Sequence, residues 1–240
     1  RDVFPGLLAK SLPIMAYNTP EYLRDTGSPE RHAMVARDIE SGRFEATSHW
    51  AARPAAFLDR DGVLVQSGVR PVTLMPGAAE AVRLLNEAGV LTVLTTNQPA
   101  VAKGHATLAD IEQEHARLDT LLGLKKAWLD RIYFCPHHPE VGHAGEDAAY
   151  KIVCDCRKPA AGMIRRALTE LPVDLGRSVV IGDSWRDAGL AREVGIEALG
   201  VETGEGCRDG SSIQVPDRMF PDVLAAARHV IQSRCQTLRC

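Results

Sequence analysis

The stretch Phe57-Leu58-Asp59-Arg60-Asp61-Gly62-Val63-Leu64 sets two carboxylates two residues apart, just beyond a short apolar run from Ala55 to Leu58 that reads as a buried strand. Positions two apart on a strand face the same side, and Gly62 lets the chain turn sharply, so both acids can enter one pocket. Carboxylates held that close repel unless a cation separates them or one keeps its proton. Either outcome is useful chemistry: a metal beside a carboxylate nucleophile, or a pair divided into acid and base. An isolated Asp-x-Asp-Gly is as often a plain turn. The elements downstream decide its meaning.

Further polar residues recur at matching places. Thr96 and Asn97 follow a second apolar run, Asp183 and Asp187 follow a later one, and Lys158 precedes a helix between them. A parallel sheet would gather these residues at the C-terminal ends of its strands. Acids for a metal, a hydroxyl and amide donor pair and one cation suit a phosphate ester. Such esters require acceleration approaching ~10²¹-fold, supplied mostly by positioning and charge neutralisation.

The elements that must position these groups are legible from Ala55 onward. Pro76-Gly77 opens a helix with Ala78, Ala81, Val82, Leu85 and Ala88 on one face, and Gly89 stops it. Val90 to Thr95 is a β-branched strand. Thr107, with Asp110 three residues on, caps a helix bearing Leu108, Ile111, Leu118 and Leu122. Arg131 to Phe134 reads as a third strand, Pro159 to Leu171 as a helix stopped by Pro172, and Ser178 to Ile181 as a fourth strand. A helix from Trp185 to Val194, a fifth strand from Ile196 to Val201 and a closing helix from Pro221 to Ser233 follow. This alternation predicts an α/β fold: a Rossmann-like parallel sheet with helices on both faces.

A second cluster is Cys135-Pro136-His137-His138-Pro139 with Cys154-Asp155-Cys156-Arg157-Lys158-Pro159. Three thiolates (Cys135, Cys154, Cys156) and the His137 imidazole suit a closed, tetrahedral, structural Zn²⁺ site. The alternatives are an opportunistic thiol cluster, or His138 or His143 as a ligand. Zinc here would staple the loop Pro139 to Val153, whose ordering otherwise costs entropy, and would fix Arg157 and Lys158 beside the site. Of six cysteines, Cys207, Cys235 and Cys240 lie scattered. The clustering fits a metal site in a reducing compartment, hence a cytoplasmic protein, better than a disulfide framework.

With 240 residues and a formal charge of -3, the chain is long enough for a substantial core and gives no signal for nucleic acid. No apolar run approaches the roughly 18 residues a membrane span needs. The chain opens on Arg1 rather than Met, which reads as a fragment or a processed product. Residues 1–45 lack the strand–helix alternation. Ser28-Pro29-Glu30 looks like a helix start running to Ser41-Gly42, and residues 46–54 read as a linker, leaving 55–235 as the regular domain.

Taken together, Asp59-x-Asp61-Gly62-Val63, Thr95-Thr96-Asn97-Gln98, Lys158 and Gly182-Asp183 with Asp187 resemble, in order and spacing, the four motifs of the haloacid dehalogenase superfamily of phosphohydrolases. That resemblance implies Asp59 as nucleophile, forming an aspartyl phosphate, and Asp61 as acid then base. It implies Thr96 and Asn97 on phosphoryl oxygens and Lys158 as charge neutraliser. Mg²⁺ would be held by Asp59, Asp183 and the backbone carbonyl of Asp61. Asp187 would be a supporting acid, or merely exposed on the first turn of its helix.

The zinc pattern resembles a branch without a large cap domain, the heptose-bisphosphate and histidinol-phosphate phosphatases, with wording nearest the heptose enzymes. It implies a sugar-phosphate substrate, with the 7-phosphate of a heptose 1,7-bisphosphate first. Histidinol phosphate, or a zinc-stabilised scaffold without catalysis, are the alternatives. The loop Val65 to Met75 is shorter than in those enzymes. The leader's Tyr22-Leu23-Arg24-Asp25-Thr26-Gly27-Ser28-Pro29-Glu30-Arg31 resembles the tail of a sugar-1-phosphate nucleotidyltransferase, in wording nearest those using guanine nucleotides. This implies fusion to such a domain in the parent chain, and the α-anomer of the bisphosphate.

Overall fold

The computed structural model describes residues 3–12, 14, 19, 21–46, 48, 51–142, 144–210 and 214–234. Helices α1 (Val3–Ala9), α2 (Pro29–Glu40) and α3 (Arg43–Ala46) come first. Then β1 (Ala55–Leu58), β2 (Leu91–Asn97), β3 (Arg131–Cys135), β4 (Val179–Gly182), β5 (Glu197–Val201) and β6 (Arg218–Phe220) form one parallel sheet in the order β3-β2-β1-β4-β5-β6. The intervening and closing helices are α4 (Ala78–Glu87), α5 (Leu108–Gly123), α6 (Gly162–Glu170), α7 (Trp185–Val194) and α8 (Val223–Arg234). The expected Rossmann-like sheet is present, and no large cap interrupts it among the described residues.

Every residue of β1 is buried, which the central strand of a two-sided sheet requires. Ala56 and Leu58 pack on one face against residues of α4, α5 and α8, while Ala55 and Phe57 pack on the other against α6 and α7. The chain runs from β1 through β2 to β3, then returns to the other side of β1 as β4. Strand order therefore reverses between β1 and β4, and the crevice beyond their C-terminal ends is where such sheets take ligands. Asp59 and Asp183 follow directly on those two strands.

Three differences from the sequence reading have physical reasons. The helix expected from Pro159 begins at Gly162, because residues 155–161 form a tight turn in which Gly162 N–H donates to the Asp155 carbonyl at 2.8 Å. A side chain at Gly162 would meet that carbonyl at 2.6 Å. Strand β6 was not expected. It is three residues long and mostly exposed, and it is aligned by Asp217, whose carboxylate accepts from Ala198 N at 2.8 Å. Of the linker, α3 takes up residue 46. Arg53 is already part of the domain edge, donating to Pro172 O at 2.8 Å and accepting from Asp174 N at 2.7 Å.

In the leader, Ser28 caps α2 as expected, accepting from Arg31 N. Tyr22 reaches back to donate to Asp38 at 2.7 Å and meets Phe44 edge to face. Asp25 pairs with Arg31.

On the inner side of α5, His115 is buried against Phe134. Burial, and then the Arg60 guanidinium, hold it down at about 4 from its usual 6.5, with Asp61 opposing. The folded state thus refuses a proton that the unfolded chain accepts. The stabilisation is complete above about pH 6.5 and is lost as pH falls towards about 4. Denaturant titrations are expected to show His115→Leu losing roughly 3 kcal/mol less than wild type between those pH values. Identical pH slopes for the two proteins would contradict this.

Candidate active site

Beyond β1 and β4 lies a cavity of about 360 Å³ lined by Asp59, Asp61, Thr96, Asn97, Arg157, Lys158, Asp183 and Asp187, with Ser67, Lys103, Arg186 and Glu205 among others. Every site residue expected for phosphate chemistry therefore faces one space. A larger cavity of about 780 Å³ lies at the opposite end of the sheet, between leader residues such as Tyr22 and Arg24 and the turn around Gly89. None of the residues expected for phosphate chemistry lines it.

Lys158 is the hub. Its ammonium sits 2.9 Å from Asp59 Oδ1 and 2.6 Å from Asp187 Oδ1 while the residue is 3 % exposed. Burial opposes its charge, but the Asp187 and Asp59 carboxylates outweigh that and raise its pKa above the usual lysine range. It is a fixed cation at neutral pH. Its backbone is clamped as well. Asn97 Oδ1 accepts from Lys158 N at 2.9 Å, and Asn97 Nδ2 donates to Lys158 O at 3.1 Å. Asn97 thus commits its carbonyl and one N–H to positioning Lys158, leaving one N–H towards the cavity.

Asp187 is not the exposed helix residue that was one of its two readings. It is buried, it forms the capping box of α7 with Ser184, and it is the counter-ion of Lys158. Asp183 is also buried and accepts from Glu205 N at 2.8 Å. Burial first, and the charge of Asp59 second, push its carboxyl up to about 7. Two glycines make room for it: a Cβ at Gly62 (φ 78°) or Gly204 (φ 62°) would overlap the Asp183 carboxylate. Gly182 does the same for Asp187.

Carboxylate oxygens of Asp59, Asp183 and Asp187 all lie within 4.8 Å of one another. When all three carboxylates are ionised, the single ammonium leaves two negative charges uncompensated, which a hard divalent cation with oxygen ligands would balance. The donor set fits Mg²⁺. The Asp61 carboxylate is outside this group, so any contribution from Asp61 falls to its backbone, as the motif resemblance implies.

The Cys/His cluster also closes as expected. Cys135, Cys154 and Cys156 have sulfur–sulfur separations of 3.2 to 3.5 Å, and His137 Nδ1 lies 3.3 and 3.6 Å from two of them. These are far from a bonded S–S length of about 2.05 Å. They approach the edge of about 3.8 Å of a tetrahedron with Zn–S bonds near 2.3 Å. His138 lies outside this donor set, and His143 lies outside the described residues. The cluster is tied to the phosphate pocket at two points: Gln98 N donates to Cys135 O at 2.7 Å, and Arg157 donates to His137 O at 3.1 Å. Cys207 is different. Burial, then the nearby carboxylates, push its thiol up to about 12, so it remains protonated.

Some groups at the site were not foreseen. Lys103 and Arg186 carry no local signal. Thr203-Gly204-Glu205-Gly206, a glycine-rich turn after β5, was the available clue to the loop that holds Asp183 and binds Gly62 O through Thr203 at 2.6 Å. The loop Val65 to Met75 is a short flap, pinned by Gln66 N to Thr73 O and Met75 N to Leu64 O, with Ser67 reaching the cavity.

The HAD-hydrolase-like family model matches residues 155–227. D-glycero-beta-D-manno-heptose-1,7-bisphosphate 7-phosphatase of Rhodopseudomonas palustris is 42% identical over 155 residues, covering 62% of this chain and 84% of its own. The enzyme of that name from Escherichia coli K12 is 38% identical over 159 residues, covering 63% and 81%. Among solved structures, D,D-heptose 1,7-bisphosphate phosphatase from B. bronchiseptica, complexed with magnesium and phosphate, is 30% identical and superposes with a TM-score of 0.64 over 75% of this chain and 99% of its own. Motifs, fold and relatives agree, and the chain belongs to the HAD-like phosphatase family, beside its heptose-bisphosphate members.

Proposed function

We propose that this protein is a Mg²⁺-dependent phosphatase that removes the 7-phosphate of D-glycero-D-manno-heptose 1,7-bisphosphate through an aspartyl phosphate on Asp59. The observation that carries the reading is Asp59 bridged by Lys158 to Asp187 in a cavity that also holds Asp183 and Asp61. The identities to heptose-bisphosphate phosphatases support the substrate.

In this reading Asp59 attacks the phosphorus while Lys158 offsets the charge that gathers on the nucleophile and phosphoryl group. Asp61 gives its proton to the departing sugar oxygen, then takes one from the water that cleaves the acyl phosphate. Thr96 and the remaining N–H of Asn97 hold phosphoryl oxygens, and Arg157 faces the rest of the substrate. Asp59, Asp183 and the backbone of Asp61 would hold Mg²⁺, which supplies Lewis-acid charge neutralisation at the phosphoryl group. Zn²⁺ at Cys135, His137, Cys154 and Cys156 would fix the loop that carries Arg157 and Lys158. The leader's resemblance to a nucleotidyltransferase tail supports a role in supplying a sugar 1-phosphate for nucleotide activation. It favours the α-anomer, whereas the names of the relatives favour the β-anomer.

Phosphate release is to be measured with both anomers of the bisphosphate and with histidinol phosphate, Mg²⁺ present. One phosphate per heptose, leaving heptose 1-phosphate, is the expected result. Preference for histidinol phosphate, or no turnover of any of the three, overturns the reading. Asp59→Asn should lower kcat by a factor on the order of 10⁴ or more, the scale of losing a covalent nucleophile, with the circular dichroism spectrum unchanged. Metal analysis should find about one zinc per chain, and Cys154→Ser or Cys156→Ser should lower both Tm and activity because metal binding is coupled to folding. Active protein free of zinc would exclude the structural site.

A further inference from the structure

Asp61 is surrounded by side chains with no role so far. Arg60 is 6 % exposed and folds back on its neighbour, donating through Nε to Asp61 Oδ2 at 3.0 Å and through Nη2 to Oδ1 at 3.2 Å. Gln98 is 4 % exposed. Its Nε2 donates to Asp61 Oδ2 at 2.8 Å and to Thr96 Oγ1 at 2.9 Å, while its Oε1 accepts from Arg60 Nη2 at 2.8 Å. The guanidinium is itself held from behind by Glu114 on α5, at 3.0 Å from Nη1. The other oxygen of Glu114 pairs with Arg70 of the flap at 2.9 Å.

This network is asymmetric at the carboxyl group. Oδ2 accepts two hydrogen bonds and has both lone pairs engaged, whereas Oδ1, among the described residues, accepts only the longer bond from Arg60 and keeps one lone pair. The Gln98 amide cannot be reversed without setting its oxygen against Asp61 and its nitrogen against Arg60. We propose that Arg60 and Gln98 are positioning residues that aim Asp61 so that Oδ1 carries the exchanged proton, and that Glu114 anchors Arg60 and links this aim to the flap through Arg70. The proposal rests on the acid–base role given to Asp61 above.

The chemistry balances on that oxygen. As Asp59 bonds to phosphorus and the ester P–O bond breaks, the proton on Asp61 Oδ1 passes to the leaving oxygen, releasing the alcohol and leaving Asp61 as carboxylate. In the second step Oδ1 takes a proton from water, the water oxygen bonds to phosphorus, and the bond to Asp59 breaks. Phosphate departs with Asp59 again a carboxylate and Asp61 again an acid. A general acid works only within hydrogen-bond reach of its target. The Asp61 side chain is 36% exposed and gains that orientation from its donors.

The test uses a series of phosphate monoesters, from nitrophenyl phosphate with its good leaving group to simple alkyl phosphates with poor ones. The quantity read is kcat/KM, which reports steps up to departure of the alcohol. Gln98→Ala is expected to lose about 10²-fold on alkyl phosphates, the lower range of general-acid contributions, and little on nitrophenyl phosphate. Nitrophenol should then appear in a burst ahead of slow turnover, because a misaimed Asp61 also slows the second step. Glu114→Gln, which touches nothing that lines the cavity, should give the same graded pattern with smaller losses, and it decides the matter if Gln98→Ala melts early. Equal losses along the series, or none, in these variants overturn the proposal. The esters contain no sugar, so failure of the heptose reading leaves the outcome intact.

Discussion

The ammonium of Lys158 between Asp59 and Asp187 is the interaction on which the rest of the structure depends. A buried lysine is costly unless paired, and buried carboxylates are costly unless a cation meets them. Each of the three groups makes the others tolerable, and their surroundings are shaped to keep them together. Asn97 clamps the lysine's backbone, Ser184 and Asp187 close the cap of α7, and three glycines give up side chains so that two carboxylates fit. When the carboxylates are all ionised, this pairing leaves an excess of negative charge in the pocket.

The second constraint is covalent. Lys158 stands two residues beyond Cys156, so a cluster of sulfur ligands and the central cation of the pocket share one short turn. Gln98 lies at the other side of the same junction, with its backbone on Cys135 and its side chain on Asp61 and Thr96. The Cys/His cluster and the pocket are consequently joined through one short turn and through the backbone contact of Gln98 with Cys135.

Most of this was legible in the chain because it follows from local rules. Alternating apolar runs gave the sheet, and the polar residues just beyond Leu58, Thr95 and Ile181 gave the pocket. The spacing of Cys135, His137, Cys154 and Cys156 gave the cluster. What escaped was held by contacts far apart in sequence. Glu114 is an ordinary exposed-looking helix residue until the fold brings it to Arg60, and Gln98 looks like the tail of a motif until Arg60 fixes its orientation. Strand β6 is too short and too exposed to carry a pattern, and exists because Asp217 meets the backbone of Ala198. Asp187 could be read either way until burial decided it.

The direction of β1 sets where the leader meets the domain. The leader joins the sheet at Arg53, on the side where strands begin, and about 13 Å of strand then separates it from Asp59. The leader residues Tyr22 and Arg24 accordingly lie at the end of the sheet remote from the pocket mouth. Substrate traffic and attachment are thereby insulated from each other. A change at the leader's end of the sheet must act through the whole length of β1 before it reaches Asp59.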